Sequence, residues 1–122
     1  MARGTSAQEW GIRSETRARK YLEQRGLVFI AANYHSRYGE IDLIMRDDEH
    51  IVFVEVRARS GNRFGGAAAS IVPEKQNRIK ICAQFYLQRE LSNHLPACRF
   101  DVIAIDLNQP KEEQLNWIKN AF

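Results

Sequence analysis

The chain reads Gly39-Glu-Ile-Asp-Leu-Ile-Met-Arg46, then Asp47-Asp-Glu-His50, then Ile51-Val-Phe-Val-Glu-Val-Arg-Ala-Arg59. Both flanks are dense in Ile, Val, Leu and Phe, as strands are, and the polar tetrapeptide between them reads as a reversing turn. The stretch is therefore a β-hairpin. A symmetric closure sets Arg46 opposite Ile51 whether the loop takes two residues or four, so Asp42 lies opposite Glu55. Directly opposed side chains share one face of the ribbon, with Cβ atoms roughly 5 Å apart. On that face the register also sets Glu40 against Arg57 and Ile44 against Phe53. The other face is wholly apolar, with Ile41, Leu43 and Met45 against Val56, Val54 and Val52. One face belongs to a core; the other brings two carboxylates into one small volume.

Two readings of those acids follow. Converging carboxylate oxygens are the usual donors to a hard divalent cation, and Mg²⁺ is commonly held by one or two of them plus a substrate phosphate. Alternatively the acid-bearing face is solvated, and Arg57 neutralises Glu40 or Glu55 with no ligand. A surface ion pair contributes only about 0–1 kcal/mol, so stability alone gives little reason to seat acids in strands this apolar.

The rest of the chain bounds the setting. Its 122 residues are enough for one domain with a real core and too few for two. Lys and Arg number 18 against 15 Asp and Glu, an excess compatible with a polyanionic partner that does not require one. There is no secretory leader pattern at the start and no apolar run of membrane-spanning length, so the expectation is a cytoplasmic protein with no membrane partner. Cys82, His94 and Cys98 lack the paired spacing of a zinc site, and both cysteines read as buried or inert.

Ser6 to Glu9 matches a capping box, and Trp10, Ser14, Ala18, Tyr21 and Leu22 follow at helical spacing until Gly26, which predicts a helix over residues 7–25. Glu15 borders the buried stripe of that helix, and its plainest partner is Arg19, four residues on. Residues 27–34 read as the first strand, which makes an antiparallel meander with the hairpin. Residues 60–66, including Arg63 and Gly65-Gly66, are loop, without the spacing of a P-loop. Pro73 suits the first turn of a second helix, whose apolar face is Ile79, Cys82, Ala83, Tyr86 and Leu87 up to about Leu91. Its opening turns carry Lys75, Gln76 and Arg78 at an end that attracts phosphate through free N–H groups. Residues 99–107 are the fourth strand, and Leu115 to Ile118 return to the core.

This order of helix, three strands, helix and strand has an acid on the first helix, an acid on the second strand and Glu-x-basic on the third. It resembles the PD-(D/E)xK nuclease superfamily, with the Holliday junction resolvases as the nearest branch. Gly39-Glu-Ile-Asp-Leu-Ile, Phe53-Val-Glu-Val-Arg, Arg63-Phe-Gly-Gly, Pro73-Glu-Lys-Gln, Arg99-Phe-Asp-Val-Ile-Ala and the ending Trp117-Ile-Lys-Asn-Ala-Phe look like the YraN-like family of small bacterial predicted nucleases. The resemblance covers nearly the whole chain. It implies a single restriction-endonuclease-like α/β domain, with a central mixed sheet flanked by helices. Asp42, Glu55 and the Val56 carbonyl would hold Mg²⁺ or Mn²⁺, with Glu15 assisting. The superfamily's usual lysine position falls on Arg57, which stays protonated and so serves as a charge stabiliser rather than a general base. Lys75 is the nearest lysine candidate to replace it. Arg59, Arg63, Lys75, Gln76 and Arg78 would face nucleic acid, expected to be DNA, with a homodimer among the expected states. An inactive nucleic-acid-binding module of the same fold and, more remotely, a protein-binding adaptor are the alternatives.

Overall fold

The computed structural model describes residues 7–60, 71–91 and 96–122; the expected capping box at Ser6, the loop with Arg63 and Gly65-Gly66, and His94 lie outside them. In chain order the elements are α1 (Ala7–Gln24), β1 (Val28–Ser36), β2 (Gly39–Asp47), β3 (His50–Arg59), α2 (Pro73–Glu90), β4 (Cys98–Asp106), a 3₁₀ turn (Lys111–Glu113) and β5 (Leu115–Ile118). Helix α1 stops at Gly26, whose φ of 95° suits glycine, while the Leu27 N–H reaches back to the Leu22 carbonyl at 3.1 Å. Helix α2 opens on Pro73, as its fixed φ favours.

The five strands lie in the order β1-β2-β3-β4-β5. Neighbours pair antiparallel except β3 and β4, which are parallel. A parallel pair needs a crossover, and α2 supplies it from one face of the sheet. Helix α1 covers the other. Ala18 and Leu22 pack with Leu43, Met45, Val52, Val54, Val56, Ile103 and Ile105, whereas Ile79, Cys82, Ala83 and Tyr86 of α2 pack with Ile44, Ile51 and Phe53. Strand β3 is thus buried on both faces, which is why its sequence runs apolar without alternation.

The mixed α/β sheet flanked by helices agrees with the sequence expectation. Strand β5 is an addition, because Leu115 to Ile118 pair with β4 as a strand as well as returning to the core. The closing segment is held by a buried carboxylate. Asp101, with no exposed surface, accepts hydrogen bonds from Arg99 Nε (3.0 and 3.2 Å), Trp117 Nε1 (2.9 Å) and the Asn120 N–H (2.9 Å), and Arg99 also reaches Asp47 at 3.1 Å. Trp117→Phe keeps the ring packed on Tyr21 but removes one of those donors. We expect a loss of about 1–3 kcal/mol in denaturant unfolding; unchanged stability would show that Asp101 does not depend on the indole.

Candidate functional site

The hairpin closes with Asp47 paired to His50, and the register continues through Arg46–Ile51, Ile44–Phe53 and Leu43–Val54. As far as Leu43–Val54 this is the register expected from sequence; the regular ladder stops one residue short of the expected Asp42–Glu55 pair, although the two carboxyl groups do meet. Beyond Leu43 the side chain of Asp42 takes part in the pairing itself: its Oδ2 accepts the Val56 N–H at 2.8 Å. Strand β2 loses its alternation at this point. Ile41 packs on the α2 side with Ile44, Ile79 and Cys82, not with Leu43 on the α1 side as strict alternation requires. On the neighbouring strand the matching position is Asn33, whose φ of 52° lies in the left-handed region that Asn tolerates. The sheet is therefore irregular at one level on β1 and β2, and Asp42 sits at that level.

Four elements converge here. Glu55, on the α2 face of β3, is 3% exposed although it carries a carboxylate. Lys75 of α2 approaches its Oε2 to 3.2 Å and Arg57 to 3.6 Å, yet among the described residues that oxygen receives no well-directed hydrogen bond and the buried Arg57 Nε has no partner either. Helix α2 comes close because β2 begins with glycine; a Cβ on Gly39 would lie 3.4 Å from the Arg78 Cβ. Gly39, Glu40, Asp42, Glu55, Lys75 and Arg78 line a cleft of about 140 Å³. One water needs roughly 10–15 Å³, so the cleft has room for several waters or one phosphate group.

Electrostatics mark the same place. Burial pushes the Asp42 carboxyl up to about 8, helped by its hydrogen bond to Glu55 and by that group's charge, against the Val56 N–H and Lys75. Glu15, from α1, is pushed up to about 7 by burial and then by the charge of Asp42, with a hydrogen bond to Asn33 pulling the other way. These acids are held together against repulsion and desolvation, an arrangement typical of functional sites.

Several expected contacts differ. Of the two partners expected for Arg57 it takes Glu55, on its own strand, while Glu40 meets His35 of β1 at 3.4 Å instead of facing Arg57 across the hairpin. Arg19 bonds Glu23 and stacks 3.6 Å from Phe29, leaving Glu15 to Asn33. Glu15 approaches Asp42 without lining the cleft. Gln76 spends its amide on the Ile71 carbonyl at 3.2 Å, and Arg78 pairs with Glu74 at 3.7 Å. Arg59 stands exposed at the end of β3. Cys82 is buried against the Tyr34 and Gly39 carbonyls, whereas Cys98 is exposed with its thiol pushed up by partial burial.

Sequence reasoning did not find Asn33. The available signal was an asparagine inside an otherwise strand-like run, a residue type that marks left-handed backbone. Asn33→Gly keeps that conformation and removes the amide. If the amide orients Glu15, we expect at least a fivefold change in any activity that depends on Glu15, with stability altered by less than about 1 kcal/mol. Equal activity of the two proteins in a single-turnover assay would exclude that role.

The donor set can be tested for an ion. Among the described residues no three His, Cys, Asp or Glu side chains gather around one point. Two carboxylates do meet, one with a buried oxygen that lacks a directed partner among the described residues. Within a strand the N–H and C=O of one residue project to the same side, so the Val56 carbonyl faces the gap that Asp42 occupies. Two carboxylates and a carbonyl suit Mg²⁺ or Mn²⁺, which keep several waters.

Fold and site together define an α/β protein with a carboxylate-lined cleft where two central strands part. The sequence profile of Uncharacterised protein family UPF0102 matches residues 14–105, and the chain belongs to that family. It is 48% identical to a UPF0102 protein of Colwellia psychrerythraea, over 99% of this chain and 94% of that protein. It is 52% identical to a UPF0102 protein of Yersinia pseudotuberculosis, over 96% and 97%. These bacterial relatives match along essentially their full length. No helix among the described residues is long and apolar enough to cross a membrane.

Proposed function

We propose that this protein is a metal-dependent phosphodiesterase acting on nucleic acid, most simply an endonuclease of structured or branched DNA. The observation that carries the reading is the buried meeting of Asp42 and Glu55, with Lys75 3.2 Å from the Glu55 carboxylate. Asp42, Glu55 and the Val56 carbonyl would hold Mg²⁺ or Mn²⁺, and such an ion supplies Lewis-acid polarisation of the phosphate and a water of lowered pKa. Lys75 and Arg57 put two cations beside one carboxylate, leaving positive charge for a phosphate oxygen in the cleft. Glu15, pushed up to about 7, can hold or release a proton beside Asp42 near neutral pH. Arg59 and Arg78 would meet flanking phosphates, and such contacts confer affinity with little sequence preference.

The second reading keeps the nucleic-acid surface without turnover. It is favoured by Arg57, which cannot serve as a base where the resembling superfamily has lysine. One assay separates them. Labelled junction, flap, duplex and single-stranded DNAs are incubated with protein in Mg²⁺, Mn²⁺ or EDTA, beside Asp42→Ala. Metal-dependent cutting that the variant loses supports the enzyme, binding without cutting supports the module, and neither overturns both.

A further inference from the structure

A second charged surface lies away from the cleft, between α1 and the segment that leads into β5. Arg17, Lys20, Tyr21, Arg25, Lys111 and Glu112 line a groove of about 380 Å³ there. Four cations against one acid make a local excess as large as the formal +3 of the whole chain. We propose that this groove is a second nucleic-acid contact, gripping a phosphate backbone outside the cleft. The inference rests on the nucleic-acid part of the reading above and not on cleavage.

Helical spacing builds the surface. Arg13, Arg17, Lys20 and Gln24 fall at i, i+4, i+7 and i+11, one stripe along α1. At 1.5 Å per residue that stripe is roughly 16 Å long, which spans about five nucleotides of a strand at 3.4 Å each. The core residues Ser14, Ala18 and Leu22 separate it from the flank that carries Glu15, so one helix turns an acid toward Asp42 and cations toward the groove.

A row of surface cations is ordinarily just solvated, but two of these are fixed in place. Arg17 donates to Gln114 Oε1 at 2.8 Å and to the Lys111 carbonyl at 3.4 Å. The Arg25 guanidinium lies 3.5 Å over the Tyr21 ring and donates to the Tyr21 carbonyl. Among the described residues none of the four cations forms an ion pair with a carboxylate, unlike Arg19, Arg57, Lys75, Arg78 and Arg99. Preorganised and unneutralised guanidinium groups suit phosphate, which they bind in a fixed planar fork. An acidic protein is the poorer fit, because a protein interface needs an apolar centre and the groove's Tyr21 and Leu115 are already half-buried.

The test is binding without turnover. Labelled duplex or junction DNA is titrated in EDTA across a salt series with wild type, Lys75→Ala, the triple reversal Lys20→Glu/Arg25→Glu/Lys111→Glu and its Gln counterpart. We expect the reversal to weaken binding at least tenfold at fixed salt, and the Gln variant to lower the slope of log affinity against log salt by roughly 2–3. Lys20→Glu alone, at an exposed position, should weaken binding several-fold if the triple variants do not fold. Folded groove variants that bind as wild type does, while Lys75→Ala binds worse, would overturn the inference and leave the cleft reading standing. A wild type that binds neither duplex nor junction DNA at low salt would overturn both. Polyglutamate competing as well as DNA would assign the groove to acidic proteins instead.

Discussion

Asp42→Asn is expected to abolish metal-dependent cleavage, by roughly 10³-fold or more, while making the metal-free protein more stable at pH 8. Both effects have one origin. The folded protein holds Asp42 at about 8 against an ordinary 3.8, chiefly through burial and then through Glu55. Between those values the folded state binds a proton that the unfolded chain has released, so stability from this group is fully present below about 3.8 and is lost as pH rises through 8. Asparagine carries no charge at any pH and its Oδ1 can still accept the Val56 N–H. The stability advantage of the variant should therefore grow from pH 5 to pH 8.5 in EDTA. Glu15, raised to about 7, gives the wild type a further decline in the same direction, part of which disappears with the Asp42 charge. Mg²⁺ should raise the unfolding temperature of the wild type most at the alkaline end and do little for the variant. Parallel unfolding curves for the two proteins across pH would refute the claim that Asp42 is held against its preference.

How much of this was legible in the sequence differs element by element. The hairpin register was readable because side-chain period and turn symmetry fix it, and the structure pairs Arg46 with Ile51 as expected. The same geometry put Asp42 beside Glu55, and their carboxyl groups meet, although the regular ladder stops before that pair. The place of Ile41 could not follow, nor which of Glu40 and Glu55 Arg57 would take, because the regular ladder ends at Leu43, where Asp42 takes the Val56 N–H. A pattern with period two carries no sign of that departure. The approach of Lys75 to Glu55 depends on the crossover helix returning across the sheet and on Gly39 admitting its backbone, and both are contacts between distant segments. Strand β5 was missed as a strand because Leu115 to Ile118 is too short for alternation to be distinctive. Its anchor, the indole N–H on Asp101, joins residues sixteen apart.

Lys75, rather than Arg57, is expected to be the cation on which turnover depends. Its ammonium is 3.2 Å from Glu55 Oε2 and it lines the cleft with Asp42, while Arg57 lies 3.6 Å from the same oxygen and is absent from the lining. Lys75→Met keeps a long apolar side chain on α2 and removes the charge, so single-turnover cleavage should fall roughly 10²–10³-fold. Arg57→Lys keeps a cation beside Glu55 and should stay within a few-fold of wild type. Arg57→Ala should fall between the two. Lys75→Arg decides how the lysine acts. A fixed charge that steadies phosphate survives the change, whereas a group that passes a proton does not, since arginine stays protonated at any working pH. The pH–rate profile gives an independent readout, because a proton-passing lysine contributes a limb that Lys75→Arg removes and a fixed charge contributes none. Lys75→Met also leaves the buried Glu55 with Arg57 alone, so each variant's unfolding temperature must be measured to separate lost chemistry from lost folding. If folded Lys75→Met cuts at the wild-type rate while Arg57→Ala does not, the assignment is reversed, and Arg57 is the working cation after all.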